Sequence, residues 1–420
     1  MEIITNYGDL LIIMAIIFGV FMAWGIGAND VANAMGTSVG SGAVTIKQAI
    51  IIAVIFEFAG AILAGGEVTD TIRKGILDAA LFTNEPHLLV YGMLASLLAS
   101  GSWLLIASSL GWPVSTTHSI IGAIVGFGAV GVDAVEWNQV AKIVMSWIAS
   151  PVLAGIIAFT LFRSLQNLII DTDHPFNNAK KYAPYYMFLV GLVVSLVTIF
   201  KGLKHVGLSF DTVTSYILSI GFGVLIAAIG TFFIRNIHLD PDENKDFYYA
   251  SMERIFSVLM IITAAAMAFA HGSNDVANAI GPLAAIYSII DSGGMIGSKS
   301  ALPVWILFLG GVGIAVGLIT YGHKVIATIG TGITQLTPSR GFAATLAAAA
   351  TVVIASSTGI PVSTTQVLVG AVLGVGLARG MAALDTRVIS RIFLSWIVTL
   401  PAGAFMSILF FFALKGAFGA

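Results

Sequence analysis

Two phrases each occur twice in this 420-residue chain. Gly27-Ala28-Asn29-Asp30-Val31-Ala32-Asn33-Ala34 returns as Gly272-Ser273-Asn274-Asp275-Val276-Ala277-Asn278-Ala279, and Pro113-Val114-Ser115-Thr116-Thr117 returns as Pro361-Val362-Ser363-Thr364-Thr365. The spacings are nearly equal, 272 − 27 = 245 and 361 − 113 = 248 positions. Each phrase carries amides, hydroxyls or a carboxylate inside strongly apolar sequence. Polar and ionisable groups at membrane depth are costly and mark functional sites. The four phrases are therefore expected to meet and form one binding site.

The setting is a membrane. The chain is 58% hydrophobic and 10% charged, with mean hydropathy +0.98, whereas soluble domains carry about 25% charged residues. Its apolar stretches run roughly 17–25 residues, the length that spans a bilayer as a helix. A net charge of −2 argues against a nucleic-acid partner. With no cysteine, disulfides and thiolate metal sites are excluded. The N-terminus lacks the basic segment of a signal peptide, so the first apolar stretch is expected to remain in the mature protein.

In order, spans are expected at residues 10–25, 49–64, 140–162, 185–200, 212–234, 255–270, 301–319 and 388–414. Residues 31–44 read as a second half-helix after a break at the Asn-Asp phrase. Residues 67–86 read as interfacial, and 163–184 and 235–250 as polar loops. The segments 88–110 with 120–132, and 342–356 with 367–377, are apolar pairs interrupted by Gly and Pro, with short second arms. They read as re-entrant hairpins, which are tolerated where buried in protein or lining a cavity. Counting the hairpins as no crossing, the chain crosses an odd number of times before the second copy begins. The second copy then starts from the opposite side, as in inverted-repeat secondary transporters. Basic residues divide seven to twelve between the two faces, which places both termini outside by the positive-inside rule. The expected organisation is residues 1–165 as first repeat, 166–250 as two linking spans with polar loops, and 251–420 as the second, inverted repeat.

A proline at the first helical position pre-sets the φ of a helix start, so Pro113 and Pro361 are expected to open short helices. The N–H groups of Ser115, Thr116 and Thr117 then lack helical partners. Such a start favours an anion, and two facing copies suit a tetrahedral oxyanion. Turns capped by their own Ser and Thr would carry the same residues without binding anything. Asp30 and Asn33, like Asp275 and Asn278, share a helix face and offer the oxygens that hard cations take. Buried carboxylates need partners, and no Lys or Arg lies within the four phrases. Bound Na⁺ or exchanged protons would balance them; helix-break capping is the competing reading. His118 and His271 either touch substrate, carry a proton or pack, while Gln366 stands where the first copy has His118. Glu57 is either a third cation ligand or a hydrogen-bonded structural carboxylate. Trp24, Trp112 and Trp147 read as packing or interface anchors.

These phrases closely resemble the signatures of the inorganic phosphate transporter (PiT) family, over essentially the whole chain. The resemblance implies uptake of inorganic phosphate by alternating access, termini outside and a homodimer. It implies phosphate contacts from Asn29, Asn33, Ser115, Thr116, Thr117, Asn274, Asn278, Ser363, Thr364 and Thr365. Na⁺ is expected at Asp30, Asn33, Thr117, Asp275, Asn278 and Thr365, with Glu57, His118, His271 and Gln366 as further candidates. The loop between halves is short, unlike the large insert of animal members, and relatives that carry sulfate leave the anion open.

The expectation is thus an all-α, multi-pass protein of the cell membrane, an inverted-repeat secondary transporter with two re-entrant helical hairpins and about 10–12 membrane helices. It is expected to import phosphate with Na⁺ as coupling ion and no other cofactor. Proton or metal-phosphate symport, or sulfate transport on the same fold, are the alternatives. A membrane-embedded phosphohydrolase is disfavoured because no histidine-aspartate pairing, basic clamp or nucleophile motif is present, so the chain reads as no enzyme. A passive anion channel is disfavoured by two Asp residues at the anion site.

Overall fold

Long apolar segments in lipid satisfy their backbone within the segment, which leaves helices as the economical solution. The computed structural model describes residues 2–131, 133–200, 202–238, 245–296, 302–323, 336–380 and 386–419. Among these residues there are α-helices and no β-strand. In order they are α1 (Glu2–Gly40), α2 (Ile46–Ala64), α3 (Gly66–Lys74), α4 (Pro86–Ser109), α5 (Thr116–Gly131), α6 (Trp137–Leu165) and α7 (Pro175–Phe200). Then come α8 (Thr212–Arg235), α9 (Lys245–Asp291), α10 (Val304–Gly317), α11 (Pro338–Ser357), α12 (Thr364–Arg379) and α13 (Thr386–Phe418). Among the described residues ten helical stretches are long and apolar enough to cross a membrane, while α5 and α12 are shorter apolar helices. The interfacial segment becomes α3 followed by a 3₁₀ turn at Ala79–Phe82.

Three expectations are corrected. First, the Asn-Asp phrases do not break a helix: α1 runs unbroken through Asn29 and Asp30, and α9 through Asn274 and Asp275. Asn and Asp cost less than ~1 kcal/mol each inside a helix, and the phrase is flanked by fully buried Ile26, Ala28, Val31, Ala32 and Met35. Packing holds the helix together. Second, the polar loop at 163–184 shrinks to residues 171–174, because α6 continues as a π-turn over Gln166–Ile170 and Pro175 opens α7. Third, the prolines do not begin the hairpin helices, as described below. Residues 239–244 of the second loop, Val132, Ala301, and Lys201, Lys299 and Lys324 of the charge count lie outside the described residues.

The buried residues form two large clusters, each built around one hairpin. One holds α4 and α5 with Ile4 to Ile26 of α1 and Val276 to Ile289 of α9. The other holds α11 and α12 with Val31 to Met35 of α1 and Met252 to Ala270 of α9. The seam between the two cores therefore falls on residues 27–30 of α1 and 271–275 of α9. The duplicated polar phrase occupies that seam in both helices.

Candidate functional site

The two hairpin turns are copies at the level of single bonds. α4 ends at Gly111 (φ 66°), whose left-handed conformation lets Trp112 N–H donate to Ala107 O (2.8 Å) and Gly111 N–H to Ser108 O (3.1 Å). α11 ends in the same way at Gly359 (φ 70°), with Ile360 N–H to Ala355 O (3.2 Å) and Gly359 N–H to Ser356 O (3.0 Å). Pro113 and Pro361 stand two residues after these glycines, ahead of the next helix. Ser115 Oγ accepts from His118 N–H (3.2 Å), and the N-cap Ser363 accepts from Gln366 N–H (3.3 Å). Serine carries a side-chain acceptor that proline lacks, so serine takes the cap. The N–H groups of Thr116 and Thr117, and of Thr364 and Thr365, occupy the first turn, where no helical carbonyl reaches them.

Each Asn-Asp phrase grips the hairpin of its own half. Asn29 Nδ2 donates to Ser108 Oγ (2.9 Å) and Trp112 O (3.2 Å), and Asn29 Oδ1 accepts from Val114 N–H (3.4 Å). The Asn274 amide is satisfied with its nitrogen toward Asp275 Oδ1 and Val362 O (both 3.0 Å) and its oxygen accepting from Ser356 Oγ (3.1 Å). Asp30 Oδ2 accepts from Thr116 Oγ1 (2.7 Å), and Asp275 Oδ2 from Thr364 Oγ1 (3.0 Å).

The next bonds cross between halves. Asn33 Nδ2 donates to Thr365 Oγ1 (2.7 Å), and Asn278 Nδ2 to Thr117 Oγ1 (3.2 Å) and Thr116 Oγ1 (3.3 Å). Thr117 Oγ1 donates to Val362 O (3.1 Å) and Thr365 Oγ1 to Val114 O (3.4 Å). All four duplicated phrases thus converge, as the sequence predicts.

One group breaks the symmetry. Contrary to the expectation of no histidine-aspartate pairing, His271 Nε2 lies 3.0 Å from Asp275 Oδ2, one helical turn on, and 4.0 Å from Asp30 Oδ2, while its Nδ1 lies 3.2 Å from Glu57 Oε1. All four residues are no more than 1% exposed. Asp30, His271 and Asp275 bring ligand atoms within 4.8 Å of one another. The helix crossings explain how Glu57 arrives. A Cβ at Gly272 would overlap the Glu57 carbonyl and one at Gly60 the Phe269 carbonyl; likewise Gly27 meets Ile314 and Gly317 meets Trp24. Matching the two crossings pairs Glu57 with Ile314 and His271 with Ile26. One crossing carries an acid and an imidazole where the other carries two isoleucines.

Asp30 Oδ1, Glu57 Oε2 and Asn278 Oδ1 are buried and have no hydrogen-bond donor among the described residues. No Lys or Arg stands within ion-pair distance of these carboxylates among the described residues. Such a set of hard oxygens can hold a small cation or a proton, and the helix starts above it can hold an anion. His118 and Gln366 lie elsewhere: the His118 ring packs 3.9 Å from the Trp147 ring, and both residues line a groove behind the hairpin tips.

Two positioning roles escaped the sequence reading, which takes Trp147 for a packing or interface anchor and does not single out Ser395. Trp147 Nε1 donates to Pro361 O (3.3 Å), and Ser395 Oγ to Pro113 O (3.0 Å). Each comes from the last helix of one half and holds the hairpin of the other. A signal was present: Ser146-Trp147-Ile148 returns as Ser395-Trp396-Ile397, 395 − 146 = 249 positions on.

The sequence pattern of the phosphate transporter family matches residues 26–407. A Haemophilus influenzae protein named as a phosphate permease is 56% identical over 420 residues, covering 100% of both chains. The inorganic phosphate transporter 2-1, chloroplastic, of Arabidopsis thaliana is 42% identical over 96% of this chain and 72% of its own. A solved structure described as the sodium-dependent phosphate transporter is 40% identical, with a TM-score of 0.89 over 97% of this chain and 99% of that one. On the pattern match and the full-length relative together, the chain belongs to the phosphate transporter family.

Proposed function

We propose that the chain imports inorganic phosphate by symport with Na⁺, by alternating access around the seam. The observation that carries the cation half is the set of buried acceptors at Asp30, Glu57 and Asn278 that have no donor among the described residues. The solved relative named for sodium dependence supports the same ion. Thr116, Thr117, Thr364 and Thr365 would meet the anion with hydroxyls and first-turn N–H groups, with Asn33 and Asn278 between anion and cation. Asn29, Asn274, Ser115 and Ser363 would hold the hairpins in place. Residues 1–165 and 251–420 would be inverted repeats linked by 166–250, with both hairpins re-entrant, both termini outside and two copies in the working unit.

A proton as coupling ion is the second reading, favoured by His271 standing among three carboxylates. Uptake of labelled phosphate into proteoliposomes, with Na⁺ or choline outside and sulfate as competitor, separates these. Strong Na⁺ activation and little competition by sulfate are expected. Equal rates in choline would refute Na⁺ coupling, and equal competition by sulfate would refute phosphate as the preferred anion.

A further inference from the structure

Behind the hairpin tips a groove of about 790 Å³ opens on the outer face of the helices between α6, α12 and α13, with almost purely apolar walls. Its inner end is closed by His118, Trp147, Gln366 and Trp396. α6 and α12 form its floor through contacts between Gly155, Gly370, Gly374 and the backbone of Pro151 and Gly155. The groove then runs along α12 from Gln366 to Leu377 and along α6 to Phe159. Those twelve residues of α12 rise about 16 Å from first to last, close to the roughly 15 Å of one leaflet's hydrocarbon.

The outer end is basic. Arg163 places its guanidinium 5.7 Å from the centroid of the Phe159 ring that lines the mouth. Arg379 lies two residues beyond Leu377, exposed in the last turn of α12. Past the last close contact, Gly155 with Gly374, the two arginines lie about 12 and 7 Å further along their helices, at the same end.

We propose that this groove is the seat of one anionic phospholipid, its acyl chain along α12 and its phosphate between Arg163 and Arg379. An apolar channel one leaflet deep under a pair of arginines matches that molecule in length and charge. A zwitterionic lipid of the same chain length fits the channel but gains less at the rim. The seat bears on transport because its inner wall is made of hairpin residues: Gln366 follows Thr365, and His118 follows Thr117. A chain lying there fills the space behind both tips and supports them against α6 and α13.

Native mass spectrometry of the full-length protein, supplied with phosphatidylglycerol or phosphatidylcholine of identical chains, tests the seat. One phosphatidylglycerol per protomer is expected to survive where phosphatidylcholine is lost. Arg163→Gln with Arg379→Gln should weaken its retention roughly tenfold or more, since two basic contacts go. Leu373→Trp, which fills the groove, should abolish retention with the rim intact. Lys180→Gln with Lys181→Gln, basic residues folded over the Phe176 and Tyr182 rings elsewhere, should change nothing. Equal retention of the two lipids, or undiminished retention in the rim or groove variant, overturns the assignment. In liposomes, phosphatidylglycerol should raise the uptake rate of the parent protein and not that of the rim variant.

Discussion

At the seam, Asp30 and Asp275 accept from threonines of their own half's hairpin and share His271 between them. Replacing either by Asn keeps the shape and removes a negative charge from a site that offers cations mainly carboxylate and amide oxygens. Asp30→Asn or Asp275→Asn should weaken or abolish Na⁺ activation of phosphate uptake while the protein still folds, as read by uptake at graded Na⁺ in liposomes. Unchanged activation in both variants would count against the cation role. The Glu57–His271 pair makes a different prediction, because the matching crossing of α1 with α10 shows its apolar equivalent in Ile314 and Ile26. Glu57→Ile alone or His271→Ile alone strands a buried polar partner, which costs several kcal/mol. The double variant strands neither member of that pair, and the loss of the imidazole beside Asp275 is common to it and to His271→Ile, so it cancels in the comparison. Melting temperatures should therefore be non-additive, with a coupling of about 1–3 kcal/mol, and the double variant should lose any pH dependence of uptake that the pair confers. The sequence alone marks both residues as candidates but not as partners. They are far apart in the chain, and only the crossing of α2 with α9 at Gly60 and Gly272 brings them together.

At the scale of elements, the glycine crossings set the spacing on which that geometry depends. A methyl group on Gly27 or Gly272 would overlap backbone carbonyls on α10 or α2, which have no rotamer to yield. Gly27→Ala or Gly272→Ala should destabilise by about 1–3 kcal/mol or more. Gly221→Ala, with nothing within 4 Å, should be neutral or slightly stabilising from helix propensity. Thermal melts in one detergent compare the three. Trp147→Phe keeps a ring beside His118 but deletes the N–H bond to Pro361 O, a loss of about 1 kcal/mol. Because the bond steadies a hairpin tip, the half-saturating phosphate concentration should rise more than the melting temperature falls. Helices and hairpins were readable from apolar length and from Gly-x-Pro interruptions, which act locally. The continuity of α1 and α9 was not, since an Asn-Asp pair favours a break locally and only tertiary burial overrides it. The Ser-Trp-Ile repeat lay in plain view, but its meaning depends on which hairpin each copy touches.

Taken whole, the molecule is not two domains in sequence but two that exchange parts. α6, from the first half, packs along α11 and α12 of the second; α13, from the second half, packs along α4 and α5 of the first. Each buried cluster draws residues from both halves, and Asn33 and Asn278 bond across the seam. A half made alone would expose the surface meant for the other's hairpin and leave its own hairpin without the helix that holds it. Fragments 1–238 and 245–420 expressed separately should each fail to give a cooperative melt. Expressed together they should co-purify and recover phosphate uptake, because the cut falls between α8 and α9, away from every contact that builds the site. Independent folding of either fragment would show that the exchanged helices are dispensable. The site would then rest on the Asn-Asp phrases alone, and the hairpins would need another anchor.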